Sequence, residues 1–218
     1  MVKKIKIYKN FKIKNSDKNS IVLIGNFDGL HAGHQKLFKQ AQKFKKKLKL
    51  KLGVITFDPI PKMFFDKKIK NYRISNFDQK ISYFEKFNVD FLINKSFNKK
   101  FSKITYSKFI QNILYKNLNV KYIFVSNNFR FGYKREGNVS LLKSYQKKYK
   151  YKVVNPKPLI IKNKVISSTF IRKLLQNAEL NSANKILKRN WSIEGTVEKG
   201  RMMGKKIGFP TCNIDIKN

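Results

Sequence analysis

With 218 residues, 41% of them hydrophobic and 19 of them Phe, the chain can build one ordinary α/β domain and part of a second, which excludes global disorder. No apolar run approaches the ~20 residues of a membrane-spanning helix, and the N-terminus (Met1-Val2-Lys3-Lys4-Ile5-Lys6-Ile7) alternates like a strand and lacks the apolar stretch of a signal peptide. A single cysteine, Cys212, excludes an internal disulfide framework and any cysteine-rich metal site.

These features predict a cytoplasmic protein with no membrane partner. The net charge of +38 invites a nucleic-acid reading, because basic surfaces bind phosphate backbones by releasing counterions. The lysines, however, run from end to end among abundant Asn, Ile, Phe and Tyr, a mixture that an A/T-biased genome encodes. Dense runs such as Lys45-Lys46-Lys47 fall on the polar face of a predicted helix. The expected partners are therefore small anionic nucleotides drawn in by the field, and no specific nucleic acid.

In chain order, apolar runs and helical periodicity predict strands at 21–25, 53–57, 91–93, 122–126 and 151–154. Helices are predicted at 33–48, 77–87, 106–115, 139–148, 168–176 and 180–187. Such alternation implies a doubly wound parallel sheet, whose ligands bind beyond the carboxyl ends of the strands. After Arg189 the rhythm changes. Trp191 to Val197 alternates at period two and leads into a glycine-spaced stretch from Gly200 to Thr211. The expected division is a first domain at 1–187 and, at 188–218, the opening strands of a β-rich domain too short to enclose a core.

Four segments carry chemistry. The first is Gly25-Asn26-Phe27-Asp28-Gly29-Leu30-His31-Ala32-Gly33-His34, between the apolar run 21–24 and a helix whose Leu37, Phe38, Ala41, Phe44 and Leu48 share one face. A glycine turn entering a helix N-terminus offers unpaired N–H groups and a positive dipole end to phosphate. His31 and His34, the chain's two histidines, add imidazole donors where charge builds up in nucleotidyl transfer. The second is the loop Thr56-Phe57-Asp58-Pro59-Ile60-Pro61, which its prolines stiffen into either a plain connection or a wall for an aromatic ligand.

The third is Val125 to Asn138, where Asn128 offers a hydrogen bond to ribose or phosphate. Its Phe129 and Phe131 serve either a ligand ring or the core. The fourth is Ile166-Ser167-Ser168-Thr169-Phe170-Ile171-Arg172. Its hydroxyls either cap a helix or, with Arg172 one turn on, hold the β- and γ-phosphates of a nucleoside triphosphate.

Together these motifs resemble the bacterial bifunctional riboflavin kinase/FMN adenylyltransferase (FAD synthetase) family. Gly25–His34, Thr56–Pro61, Val125–Gly137, Ser167–Arg172 and Gly204–Asn213 match in the family's order, so the resemblance covers nearly the whole chain. It implies a Rossmann-like nucleotidylyltransferase domain followed by the first strands of an incomplete riboflavin kinase barrel. The implied reaction is FMN + ATP giving FAD + pyrophosphate with Mg²⁺, riboflavin being the substrate of the kinase half of a complete protein.

The resemblance assigns His31 and His34 to catalysis, and Gly25, Asn26, Phe27, Asp28, Gly33, Asn128, Ser168, Thr169 and Arg172 to ATP. Phe57, Asp58, Pro59, Phe129, Arg130 and Phe131 are assigned to FMN, and Thr211 and Asn213 to Mg²⁺ in the kinase fragment. The family's kinase base lies beyond this motif, so kinase activity is expected only of a longer protein. Ile60 stands where the family carries His, which puts an aliphatic chain at a flavin contact. Two other readings remain: a sister nucleotidylyltransferase with a different phosphorylated acceptor, and a non-catalytic nucleic-acid-binding protein.

Overall fold

The computed structural model describes residues 4–69, 72–161, 163–198, 200, 203–209 and 211–215. Met1 to Lys3, and Arg201, Met202 and Pro210 of the glycine-spaced stretch, lie outside them. In chain order the first half carries β1 (Lys6–Tyr8), β2 (Ile21–Ile24), α1 (Ala32–Leu48), β3 (Leu52–Asp58), α2 (Pro61–Phe65), α3 (Phe77–Lys86) and β4 (Phe91–Ser96). Next come α4 (Lys99–Ser102) and α5 (Tyr106–Lys108), which continues into a π-helical segment (Phe109–Asn117), then β5 (Tyr122–Phe124), α6 (Val139–Ser144), α7 (Gln146–Tyr149) and β6 (Lys152–Val154). A hairpin of β7 (Ile160–Ile161) and β8 (Lys164–Val165) precedes α8 (Ser168–Gln176) and α9 (Leu180–Leu187), and β9 (Thr196–Glu198), α10 (Met203–Lys206) and β10 (Asn213–Asp215) follow.

The main sheet has the order β1-β4-β3-β2-β5-β6, and every neighbouring pair in it is parallel. The chain winds outward from β2 through β3 to β4, then crosses to β5 and β6 on the other side. The crevice between the carboxyl ends of β2 and β5 is therefore the topological switch point, where open α/β sheets bind ligands. β2 is buried on both faces: Val22 and Ile24 pack with the π-helical segment's Ile110 and Leu114, and Ile21 and Leu23 with Phe38 and Ala41 of α1. Continuous burial explains why this strand reads as an apolar run without alternation. Each such Ile or Leu contributes about 2 kcal/mol by leaving water.

The expected fold class holds, and α8 and α9 have the expected bounds. Elsewhere local packing shifts the boundaries. The helix expected at 139–148 is broken at Tyr145 into α6 and α7, and the one expected at 106–115 becomes largely π-helical. Pro61 opens α2 at its first position, where the missing N–H costs nothing, so the proline loop is short: β3 runs to Asp58 and the helix begins at its last residue.

The strand expected from Trp191 is confined to Thr196–Glu198. Trp191 is drawn off instead, its backbone N–H donating to Asn184 Oδ1 (2.7 Å) and its indole N–H to the Ile74 carbonyl (2.9 Å). β9 and β10 pair antiparallel, apart from the main sheet, and leave Val197, Ile207 and Phe209 exposed. This ribbon is consistent with the first strands of a barrel.

Candidate active site

β2 ends in a turn that no regular element would choose. Phe27 (φ 48°, ψ 36°) and Leu30 (φ 35°) are non-glycine residues in left-handed conformation, flanking Asp28 and Gly29. Such backbone persists only where packing over-determines it. Phe27 is buried edge-on against Phe38, Phe84 and His34. Gly29 (φ 73°) lies so close to Ile74 that a Cβ would sit 2.9 Å from its Cγ2.

The Asp28 carboxylate is buried and accepts from the N–H groups of Ile74 (3.0 and 3.2 Å) and Ser75 (3.4 Å) and from Arg172 Nη2 (2.5 Å). Asp28 thus ties the turn to the segment before α3 and to α8. Ser168 Oγ adds a second tie, donating to the Asp28 carbonyl (2.9 Å).

His31 caps α1: its Nδ1 accepts from the His34 N–H (3.4 Å), so its proton is carried on Nε2. The two rings stack with centroids 3.7 Å apart. Burial, reinforced by Arg189, lowers the His31 pKa to about 4. Burial, then His31 and Lys80, holds His34 well below its usual value. Both imidazoles are therefore neutral near pH 7 and can donate a hydrogen bond without delivering a proton. His34 Nδ1 and Asn26 Oδ1 are buried and unpartnered among the described residues, an arrangement that a ligand would relieve.

The turn faces a cavity of about 1160 Å³ at the switch point. All nine residues expected at ATP, both histidines, and Phe57, Phe129, Arg130 and Phe131 line it. The structure thus gathers residues that lie up to 147 positions apart, from Gly25 to Arg172.

Two expectations are modified. Asp58 and Pro59 do not line the cavity, and Asp58 is ion-paired with Arg73. Phe131 belongs to the core and stacks on Phe129 (5.4 Å), so the pair is at once core anchor and cavity wall. Thr211 and Asn213 are exposed on the C-terminal ribbon, away from the cavity. Ile60 is buried and lines the cavity.

Within α8, Ser167 takes the capping role, accepting from the Phe170 N–H (3.2 Å), while Thr169 is exposed to the cavity. Arg172 gives Nε to the Tyr72 carbonyl (2.7 Å), stacks 3.6 Å from the Tyr72 ring centroid and pairs with Asp28. Two of its five donors are therefore committed within the protein. Tyr72, Arg73, Lys80 and Arg189 were not singled out from the sequence. Lys80 is a buried lysine on α3, its pKa lowered by burial and partly restored by Asp28, and its charge acts on His34. A lysine on the apolar face of an amphipathic helix was the one local signal available for it.

The family model for FAD synthetase matches residues 13–170. The chain belongs to that family. The model for riboflavin kinase matches residues 187–218. The bifunctional riboflavin kinase/FMN adenylyltransferase of Buchnera aphidicola subsp. Schizaphis graminum is 42% identical over 206 residues, covering 94% of this chain and 66% of that protein. The Escherichia coli K12 protein of the same name is 32% identical over 197 residues, covering 90% of this chain and 63% of its own length. The chain thus spans just under two thirds of the length of these relatives. A crystal structure described as a macrolide-efflux protein from Streptococcus pneumoniae superimposes with a TM-score of 0.82 at 28% identity, covering 99% of this chain and 70% of that one. Among the described residues, no helix is long and apolar enough to cross a membrane.

Proposed function

We propose that the chain transfers the adenylyl group of ATP to FMN, giving FAD and pyrophosphate. One observation carries this reading: two stacked, neutral histidines at the N-terminus of α1 face the same cavity as the N-terminus of α8 and an aromatic wall. A phosphate oxygen of FMN attacks the α-phosphorus of ATP in line, and the bond to the bridging oxygen of pyrophosphate breaks. No covalent enzyme intermediate forms, so catalysis reduces to positioning and charge stabilisation. His31, through Nε2–H, and His34 meet the charge on the α-phosphate. Ser168, Thr169 and the uncommitted donors of Arg172 hold the departing pyrophosphate, while Phe57, Phe129 and Arg130 flank the flavin. Gly25 to Asp28 line the adenine nucleotide.

Mg²⁺ bound to ATP would supply neutralisation of the phosphate charge. Among the described residues no group of three His, Cys, Asp or Glu forms a metal cage, and Thr211 and Asn213 offer only neutral donors.

We place the boundary between the transferase domain (1–187) and the kinase-like segment (188–218) at the end of α9. Among the described residues the two-stranded ribbon encloses no site for riboflavin, and FMN is the acceptor we assign to the cavity. Chromatography of reactions containing ATP, Mg²⁺ and either FMN or riboflavin tests this. FAD from FMN alone is the expected result. Adenylylation of a different phosphorylated acceptor, with FMN inert, would move the assignment to a sister transferase.

A further inference from the structure

Arg189, the residue at which the composition changes character, reaches 160 positions back to the transfer turn. Its Nη2 donates to the Gly29 carbonyl (2.8 Å) and its Nη1 to the Leu187 carbonyl at the end of α9 (3.2 Å). The guanidinium carbon lies 3.9 Å from the centroid of Tyr83 in α3. Nε is buried and finds no partner among the described residues, where Arg189 also has no ion-pairing carboxylate. A cation held by an aromatic face and two backbone carbonyls is fixed by geometry, since a lysine could not reproduce the fork.

A second tie runs alongside. Gln35 Nε2 donates to the carbonyls of both Leu30 (3.0 Å) and Leu187 (2.9 Å). The two residues before His31 are thus each bonded to a side chain that also grips the end of α9. These are also the positions with φ of 73° and 35°, where the backbone has least tendency to hold its course unaided. Trp191 completes the backing by donating to the carbonyl of Ile74, whose own N–H holds Asp28.

We propose that Arg189 is a positioning residue for adenylyl transfer: by holding the Gly29 carbonyl it fixes the turn that presents His31, and so makes transfer depend on the segment leading to the kinase-like ribbon. The inference rests on the proposed function and adds to it a coupling between the two parts of the chain. The groups acting on His31 agree with it. His34 faces it from α1 and Arg189 from the linker, with Lys80 of α3 behind His34. The guanidinium disfavours an imidazolium at His31, in the same direction as burial.

The test uses the full 218-residue chain carrying Arg189→Met or Arg189→Lys. Two measurements are made: steady-state FAD formation, and an NMR titration of the imidazoles, which number only two. With Arg189→Met, kcat falls about tenfold or more while KM for ATP changes by less than about threefold, the split expected when a turn is misplaced but the pocket survives. His31 then titrates above its parental value of about 4. Arg189→Lys keeps the low titration and recovers part of kcat. A folded Arg189→Met protein with kcat within about twofold of parent overturns the proposal, as does a His31 titration that does not move. If the parent makes no FAD, the proposed function fails, and the titration alone then decides whether Arg189 acts on His31. If Arg189→Met does not fold, Arg189→Lys decides: parental kcat in that variant shows the fork to be dispensable and overturns the proposal.

Discussion

His31 and His34 are neighbours twice over, once through backbone and once through rings. The Nδ1 of His31 accepts the His34 N–H at 3.4 Å, and the two imidazoles stack with centroids 3.7 Å apart. The first contact makes His31 the cap of α1, and the second presses both rings into one slab at the mouth of the helix. One nitrogen of His31 therefore serves the fold, which leaves Nε2–H for the ligand.

These two jobs separate by mutation. His31→Ala should lower adenylyl-transfer turnover by about 10²-fold, the cost of one preorganised donor to developing charge. It should also cost about 1 kcal/mol of stability through the lost cap. His31→Asn restores a cap acceptor without restoring the imidazole. Chemical denaturation should therefore find Asn close to parent while its turnover stays near that of Ala. Parental turnover in a folded His31→Ala protein would remove His31 from the reaction.

Acid should weaken the fold through the same residue. The folded state holds His31 at about 4 against an ordinary 6.5, so between those values the unfolded chain binds a proton that the native chain does not. Stability then rises with pH across the window and is lost as pH falls from about 6.5 to about 4, by about 3 kcal/mol for this group. His34 adds to the loss in the same direction. Urea midpoints taken from pH 7.5 downward read the slope, and His31→Asn should flatten it. An equal slope in parent and variant would place the titration elsewhere.

A separate test concerns the sheet that carries the site. Gly53 in β3 sits beside Phe91 of β4 in register, and a Cβ there would lie 2.1 Å from Phe91 Cζ. Phe91 is fully buried, so its ring has nowhere to retreat. Gly53→Ala should cost about 1–3 kcal/mol by overpacking, read as a lower denaturation midpoint. Turnover per folded molecule should be unchanged, because the strand ends that bear the site lie beyond the clash.

What could be read in the sequence was what local pattern encodes. The run 21–24, the glycine turn and the face of α1 are contiguous, as are the serines that open α8, and each appears where periodicity puts it. Left-handed Phe27 had no signal, because it is packed by Phe38 and Phe84 from other elements, and Ile74 crowds Gly29 two residues on. Arg189 and Tyr72 likewise acquire their roles through contacts 160 and 100 positions away along the chain. The broken strand at 191–195 has the same origin: its alternation was genuine, but Trp191 is held by Asn184 and Ile74. Sequence pattern specifies elements, and long-range hydrogen bonds reassign the residues at their ends.

The pairing of Asp28 with Arg172 joins α8 to the transfer turn, and it can be broken without changing shape. Asp28→Asn removes the charge that faces Arg172 at 2.5 Å, where the two side chains are 2% and 16% exposed. It also puts amide hydrogens opposite, or withdraws an acceptor from, the N–H groups of Ile74 and Ser75. Loss of one partner from a buried pair typically costs about 3–5 kcal/mol; with Arg172 partly solvated, the lower end applies. Thermal unfolding should register that loss. Turnover should fall in addition, because the turn loses its anchor before α3 and Arg172 is freed from the geometry in which it meets the pyrophosphate. Arg172→Lys gives the complementary result: the charge beside Asp28 is kept, the bond to the Tyr72 carbonyl is lost, and KM for ATP rises more than stability falls. If Asp28→Asn retained both parental stability and parental turnover, the carboxylate would be dispensable to the turn, which Ser168, Arg189 and Gln35 would then hold through its carbonyls.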